Sequence, residues 1–152
     1  MKKTGICNLK LSDELFHLKL LSDFNDNELF FYKDLAAGKI NIEFLTRTFV
    51  AGKIRTSICI QSKFYNQVKT LLNSHVPLKD HAEVIPSMGL ISLYPHRFSL
   101  EILGQSLKAF SGNGLPIYGF ASSISSITFI TDYDRLREAE KALKGYPFAM
   151  TT

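Results

Sequence analysis

Four histidines and Cys59 are the side chains of this 152-residue chain that suggest acid–base, nucleophilic or metal chemistry. His75 and His81 flank a proline segment, with Asp80 and Glu83 close by in sequence. A metal site needs ligands that converge, and two histidines on an irregular segment lack the spacing of a known site. The chain also has no glycine-rich phosphate loop, no GxSxG and no HExxH. The sequence therefore predicts a protein that is not an enzyme and has no metal or cofactor.

The composition is that of a globular domain with a weakly basic surface. Apolar residues make up 45% of the chain, which includes 12 Phe, so a packed core is expected. The net charge of +4 comes from scattered lysines and arginines, a pattern that favours solvated helix faces over a nucleic-acid patch. Cys7 and Cys59 lie in strand-like runs without CxxC or Cys/His spacing and are expected to be buried thiols in a reducing compartment.

No apolar run approaches the ~20 residues that span a bilayer. The N-terminus also lacks the apolar core of a signal peptide. We therefore expect a cytoplasmic protein that does not bind membranes.

The elements that would position any site occur twice. Residues 38–45 and 114–121 each begin with glycine, follow a helical pattern and read as a strand. A second strand and another amphipathic helix come after each of them. Two βαββαβ units are therefore predicted, divided as 1–80 and 81–152, with the boundary strands open to exchange between them.

The periodicities predict the following bounds. The strands are expected at 4–11, 14–21, 40–49, 54–61, 82–85, 89–94, 115–121 and 124–131, with a further edge strand at 146–150. Two helices are expected at 27–37 and 63–74. A third is expected to begin after Ser99 as its N-cap, and a fourth to be capped by Thr131 or Asp132 and to stop at Gly145. Ser12 and Asp13 are expected to form the turn between the first two strands.

The predicted fold class is α+β, with two ferredoxin-like units of antiparallel sheet and helices on one face. The second face of each sheet must then be solvated or covered by a neighbour. Each half is near the size at which a lone core is marginal. We therefore expect the units to pack together and the chain to form a homodimer.

Two segments resemble a known family. The segment 36–43 reads Ala-Ala-Gly-Lys-Ile-Asn-Ile-Glu and is similar to the helix-to-strand junction of ACT domains. The segment 122–130, followed by a capped helix that ends in Glu-Lys-Ala-Leu at 140–143, resembles the regulatory tail of aspartate kinases, which is a tandem pair of ACT domains. The resemblance extends from about residue 14 to residue 145 and includes no kinase region. It implies a regulatory module, either free-standing or part of a longer protein.

The resemblance also implies a sensor that binds a small molecule, most often an amino acid, where two ACT domains meet. In that family the contacts come from the loop after the first strand and from the start of the second strand. Carried onto this chain, the implied ligand-binding residues are Ser22, Asp23, Asn25, Asp26, Asn27, Asn41, Glu43, Arg47, Thr48, His96, Arg97 and Ser99, with Tyr118 and Ser122 beyond them. A partner enzyme is a further implication.

In such a site, the N–H groups at a helix N-terminus would attract the ligand carboxylate. Asp26 or Glu43 would then receive its ammonium group. The polar and acidic loop of the first unit favours that unit as the binding one.

Two alternatives stay open. The Pro-Gly pair that precedes the helix in the family is replaced here by Asp26-Asn27 and by Phe98-Ser99. A structural dimerisation module without a ligand therefore remains a candidate. The same topology serves RNA-recognition motifs, which place aromatic residues on the central strands. Here those strands offer 57–59 and 126–128, with Phe129 as the aromatic residue, so we expect no nucleic-acid partner.

Overall fold

The computed structural model describes residues 8–23, 27–94, 100–123 and 125–145. The strands in this part are β1 (Asn8–Leu11), β2 (Leu15–Ser22), β3 (Phe44–Val50), β4 (Lys53–Gln61), β5 (Ala82–Tyr94), β6 (Gly119–Ser122) and β7 (Ile127–Asp132). The helices are α1 (Asn27–Ala37), α2 (Tyr65–Ser74), α3 (Val76–Lys79), α4 (Leu100–Gly112) and α5 (Leu136–Lys144). Short 3₁₀ turns at Ser62–Phe64 and Tyr133–Arg135 lead into α2 and α5.

The chain divides into two compact units. The first unit is Glu14–Met88, and the second unit joins Met1–Asp13 to Gly89–Thr152. Strand β5 contributes residues 82–88 to the first unit and residues 89–94 to the second. The expectation from the sequence divided the chain after residue 80 and allowed for exchanged strands. In the structure, residues 82–88 lie with the first unit.

The first unit has the predicted βαββαβ order. Its strands are arranged β3-β4-β2-β5, and each neighbouring pair is antiparallel. The hairpin between β3 and β4 turns at Ala51 and Gly52, which both have positive φ, at 51° and 77°. Positive φ at both central residues is typical of a type I′ turn, whose twist matches that of the flanking strands.

The second unit includes strand β1, which precedes the whole first unit in the sequence. Its strand order is β1-β5-β7-β6, and β1 pairs antiparallel with residues 91–94 of β5. The predicted turn at Ser12 and Asp13 therefore does not close a hairpin, because β1 and β2 each pair with β5 instead of with each other. The edge strand predicted at 146–150 lies outside the described residues.

Strands β3 and β6 begin later than predicted, at Phe44 and Gly119, for the same reason in both units. After each helix the chain reverses and first buries one apolar side chain. Ile40 donates its N–H to Leu35 O at 2.9 Å, and Leu115 donates to Phe110 O at the same distance.

The left-handed residue that permits this reversal is Lys39 in the first unit (φ 54°) and Gly114 in the second (φ 60°). Gly38, the glycine that begins the repeated segment 38–45, therefore does not take the left-handed conformation typical of a C′ glycine; the residue after it does.

Each unit has its own apolar core between the sheet and its helices. In the first unit the buried side chains come mainly from β2, β4, α1 and α2, and include Phe16, Ile58, Phe31 and Leu72. In the second unit they come from β5, β7, α4 and α5 and from the segment after α4. The buried residues of this second core are Ile91, Leu93, Ile102, Ala109, Phe110, Leu115, Ile127, Phe129, Leu136, Ala139 and Leu143.

Candidate functional site

A small cavity of about 40 Å³ lies at the end of β2 in the first unit. Three of the residues predicted to bind a ligand line it: Ser22, Asp23 and Asn27. The other lining residues are Leu21, Lys53, Pro77, Leu78 and His81. Asn27 is the first residue of the 11-residue helix α1, so the cavity adjoins the positive end of a helix dipole. All of the lining residues in the described part of the chain belong to Glu14–Met88, the first unit.

The two charges at the cavity form an ion pair. Lys53 Nζ lies 2.6 Å from Asp23 Oδ1, and both side chains are about half exposed or more. The hydrogen bond from the Lys53 ammonium holds the pKa of the Asp23 carboxyl below its ordinary value. One cationic and one anionic group therefore lie together at this cavity.

Ser22, which lines the cavity, also belongs to a buried polar network centred on Glu28. Its side chain is only 2% exposed, and its carboxylate accepts two hydrogen bonds on each oxygen. Ser22 Oγ and Thr56 Oγ1 donate to Oε1 at 2.7 and 2.9 Å. Tyr32 Oη and Arg47 Nε donate to Oε2 at 3.0 and 3.2 Å. A buried carboxylate is stable only when its oxygens are satisfied in this way.

Two of the residues predicted to bind a ligand, Ser22 and Arg47, are instead hydrogen-bonded to Glu28 in this network. Ser22 is buried, and its hydroxyl hydrogen is committed to Glu28. Arg47 lies on β3, where it supplies the positive charge that balances the Glu28 carboxylate. Burial, followed by the charge of Glu28, also raises the pKa of Tyr32 to about 12, so its hydroxyl remains a donor.

The structure does not bring all predicted residues of the first unit together. Ser22 pairs with Ile54 at one end of β4, whereas Gln61, at its other end, donates to Glu43 at 3.2 Å. Ile54 and Gln61 are seven residue steps apart along the strand, which corresponds to roughly 24 Å. Glu43 therefore lies far from the cavity.

Asn41 and Thr48 are not among the described residues that line the cavity. Asn41 is exposed in the irregular segment before β3. Thr48 lies on the opposite face of β3 from Arg47, because successive side chains of a strand alternate.

Asn25 and Asp26 of the first unit, and His96, Arg97 and Ser99 of the second unit, lie outside the described residues. Tyr118 lies just before β6 and donates its hydroxyl to Asp132 Oδ1 at 2.9 Å. That hydrogen bond raises the pKa of Tyr118.

Two histidine pairs in the first unit have the geometry of acid–base groups. His75 Nε2 lies 2.7 Å from Asp34 Oδ2. His17 Nε2 is hydrogen-bonded to Ser57 Oγ, a pairing of base and hydroxyl that also occurs in nucleophilic catalysis. His17 is 1% exposed, however, and no described group bonds its Nδ1 to orient the ring. Burial lowers the pKa of His17 to about 4, so it is neutral at pH 7.

In the described part of the chain, no group of three or more His, Cys, Asp or Glu side chains is arranged to hold a metal ion. None of the helices described is both long and apolar enough to cross a membrane.

Sequence reasoning missed Glu28, Lys53 and His81. Glu28 is an acidic residue in the first turn of a helix, a position that normally indicates an exposed side chain near the helix dipole. Lys53 lies in a predicted turn, and His81 appeared only as a weak metal candidate. No local pattern indicated the role of Glu28, because the convergence of Ser22, Tyr32 and Thr56 on its carboxylate depends on strand pairing.

Comparisons with known proteins place this fold. No protein-family model matches the sequence, and no curated protein gives a significant sequence match. Solved structures do match over nearly the whole chain. The regulatory subunit of aspartate kinase from Thermus thermophilus, in its ligand-free form, is 14% identical, with a TM-score of 0.81; the match covers 96% of this chain and 100% of that one.

Whole aspartate kinases match over part of their length. The enzyme from Synechocystis is 11% identical with a TM-score of 0.81, and the match covers 100% of this chain and 29% of that one. E. coli aspartokinase III in complex with lysine and aspartate is 15% identical with a TM-score of 0.71, covering 98% and 35%. The chain therefore has the tandem ACT fold of aspartate kinase regulatory regions, as the resemblance predicted.

Proposed function

We propose that this chain is a non-catalytic regulatory protein that binds an amino acid through its first unit. The observation that supports this most directly is the cavity at the end of β2, where Ser22, Asp23 and Asn27 lie beside Lys53. An amino acid has a carboxylate and an ammonium group, and among the described lining residues Lys53 and Asp23 offer a charge of each sign. The fold adds support, since E. coli aspartokinase III, which shares it, has been solved in complex with lysine and aspartate.

The proposed output is a change of association. In this proposal the ligand is bound where ACT units of two chains meet in a homodimer, and binding changes the oligomer or the contact with a partner enzyme. A ligand that binds one association state more tightly shifts the equilibrium towards that state.

The test is a thermal-shift screen with each of the twenty amino acids at up to millimolar concentration. A ligand that binds only the folded state adds about 2.7 kcal/mol at a hundred times its Kd. For a chain of this size that corresponds to a rise in Tm of roughly 5 °C or more. Sedimentation velocity with and without the active amino acid then measures the change of oligomer. The proposal is abandoned if none of the twenty changes Tm.

A ligand-free dimerisation module is the second candidate, and the edge strand β3 favours it. Leu45, Phe49 and Val50 on this strand are 47%, 63% and 44% exposed. Exposed apolar side chains on an edge strand are typical of a surface that pairs with another chain. A stable dimer that is unchanged by every amino acid in the same experiments would favour this candidate.

A further inference from the structure

The lining of the cavity restricts the kind of amino acid it can hold. We infer that the cavity takes a small, uncharged α-amino acid, whose carboxylate is bound by Lys53 and whose ammonium group is bound by Asp23. This inference rests on the proposed function and adds the ligand class and the two residues that recognise it.

The first step of the argument is size. The cavity of about 40 Å³ has room for about three water molecules. A side chain of the size of alanine, serine, threonine or valine fits such a space when the charged backbone groups remain at its mouth. An aromatic or long side chain does not.

The second step is charge. Lys53 and Asp23 are bonded to each other in the free protein, and each is at least 49% exposed. An exposed ion pair contributes little to stability, so a ligand can separate the two groups at small cost. Each group then gains a ligand group of the opposite charge, and the bonds that form are charge-assisted. The balance of charge in the cavity is unchanged when the ligand is a zwitterion with a neutral side chain.

The third step is the inner wall. Leu21, Pro77 and Leu78 give the cavity apolar surface, and Leu78 is 1% exposed. The Ser22 hydroxyl hydrogen, which could otherwise bind a polar side chain, is committed to Glu28 at 2.7 Å. A charged side chain of the ligand would lose water against this apolar surface. The other polar lining residues are Asn27 and His81, and a ligand with a charged side chain would also upset the balance between the Lys53 and Asp23 charges. Lysine and aspartate are therefore expected to bind more weakly than a neutral amino acid.

The test measures binding by isothermal titration calorimetry with L-alanine, L-serine, L-threonine and L-valine, compared with L-lysine, L-aspartate and L-phenylalanine. The amide and the N-acetyl derivative of the best binder remove its carboxylate and its ammonium charge in turn. Lys53→Gln and Asp23→Asn are expected to weaken binding about ten-fold or more, as is usual for the loss of a charge-assisted bond. Lys69→Gln, which neutralises an exposed lysine of α2 in the same unit, is the matched control and should leave Kd unchanged.

The outcomes separate this inference from the proposed function. Binding of a small neutral amino acid that Lys53→Gln and Asp23→Asn weaken, and Lys69→Gln does not, supports both. This inference is overturned, and the proposed function left standing, if only a charged or bulky amino acid binds. The same holds if Lys53→Gln and Asp23→Asn bind the amino acid as tightly as the unchanged protein does. Absence of binding by all twenty overturns both. Circular dichroism checks that the variants, whose changed side chains are exposed, remain folded.

Discussion

Thr56 in strand β4 donates its hydroxyl hydrogen to Oε1 of Glu28 at 2.9 Å and so joins the first helix of the first unit to the interior of its sheet. The same oxygen accepts the Ser22 hydroxyl from the last residue of β2. Glu28 therefore fixes the start of α1 relative to two neighbouring strands. Because Ser22 and Asn27 both line the cavity, this contact also sets the shape of the candidate site.

We predict that Glu28→Gln destabilises the protein by about 1.5–3 kcal/mol, the usual contribution of a hydrogen bond to a charged group. Glutamine retains one acceptor oxygen, but its amide presents N–H groups to donors that need an acceptor. Arg47 also loses its anionic partner. The measurement is the free energy of unfolding from urea titration.

Glu101→Gln is the matched control for this change. Glu101 is likewise the second residue of a helix, α4, but its side chain is exposed and accepts a bond from Gln105 at 3.0 Å. Its replacement should change stability by less than about 0.5 kcal/mol, as for most surface substitutions. Equal effects of the two variants would show that the Glu28 network does not contribute more than an ordinary first-turn acid.

Because His17 is buried in its neutral form, we predict that the free energy of unfolding falls in weak acid. Its pKa is lowered from 6.5 to about 4 in the folded protein, mainly by burial and then by Lys19, with Glu83 opposing. The unfolded state therefore takes up the proton first, between these two values. The contribution of neutral His17 is complete above pH 6.5 and is lost as the pH falls from 6.5 towards 4, by about 1–3 kcal/mol.

Urea titrations from pH 7.5 to pH 4.5 measure this dependence. His17→Asn should be less stable at pH 7.5 but should show a flatter dependence on pH, because the titrating group is absent. An unaltered slope in His17→Asn would mean that another group causes the acid sensitivity.

Much of the fold follows from local patterns, because the periods of helices and strands are set by a few neighbouring residues. The predicted helix over 27–37 coincides with α1, and the hairpin turn falls at Ala51 and Gly52 as expected. The place of β1 in the second unit could not be predicted in this way. β1 pairs with β5, and this pairing places Asn8 opposite Tyr94, more than eighty residues further along the chain. A pairing between such distant residues has no signal in the sequence around β1.

The candidate site shows the same division. Ser22, Asp23 and Asn27 lie within six residues around one helix start, so their proximity could be predicted. Lys53 and His81 reach the cavity only through the pairing of β2 with β4 and β5. Glu43 failed to join them because the segment after α1 enters the sheet at its opposite end.

Cys59 is expected to resist thiol reagents in the folded protein. The side chain is fully buried, and burial raises the pKa of its thiol to about 12, so almost no thiolate is present at neutral pH. In a Cys7→Ser variant, where Cys59 is the sole thiol, reaction with a chromogenic disulfide should be slow in buffer and rapid in denaturant. Fast, complete labelling in buffer would contradict the burial of Cys59.

Gly89 is expected to be intolerant of any side chain. A Cβ at this position would lie 2.5 Å from Cδ1 and 2.8 Å from Cγ of Leu136, whose side chain is buried in the second core. Gly89→Ala should therefore destabilise the protein by about 1–3 kcal/mol through overpacking. Gly104→Ala, in helix α4 of the same unit, meets nothing within 4 Å and should instead stabilise by about 0.5–1 kcal/mol. Combining Gly89→Ala with Leu136→Val tests the cause, because the smaller side chain relieves the clash. The double variant should then lose less stability than the sum of the losses in the two single variants. Strict additivity in urea titrations would show that Leu136 is not the residue that excludes the methyl group.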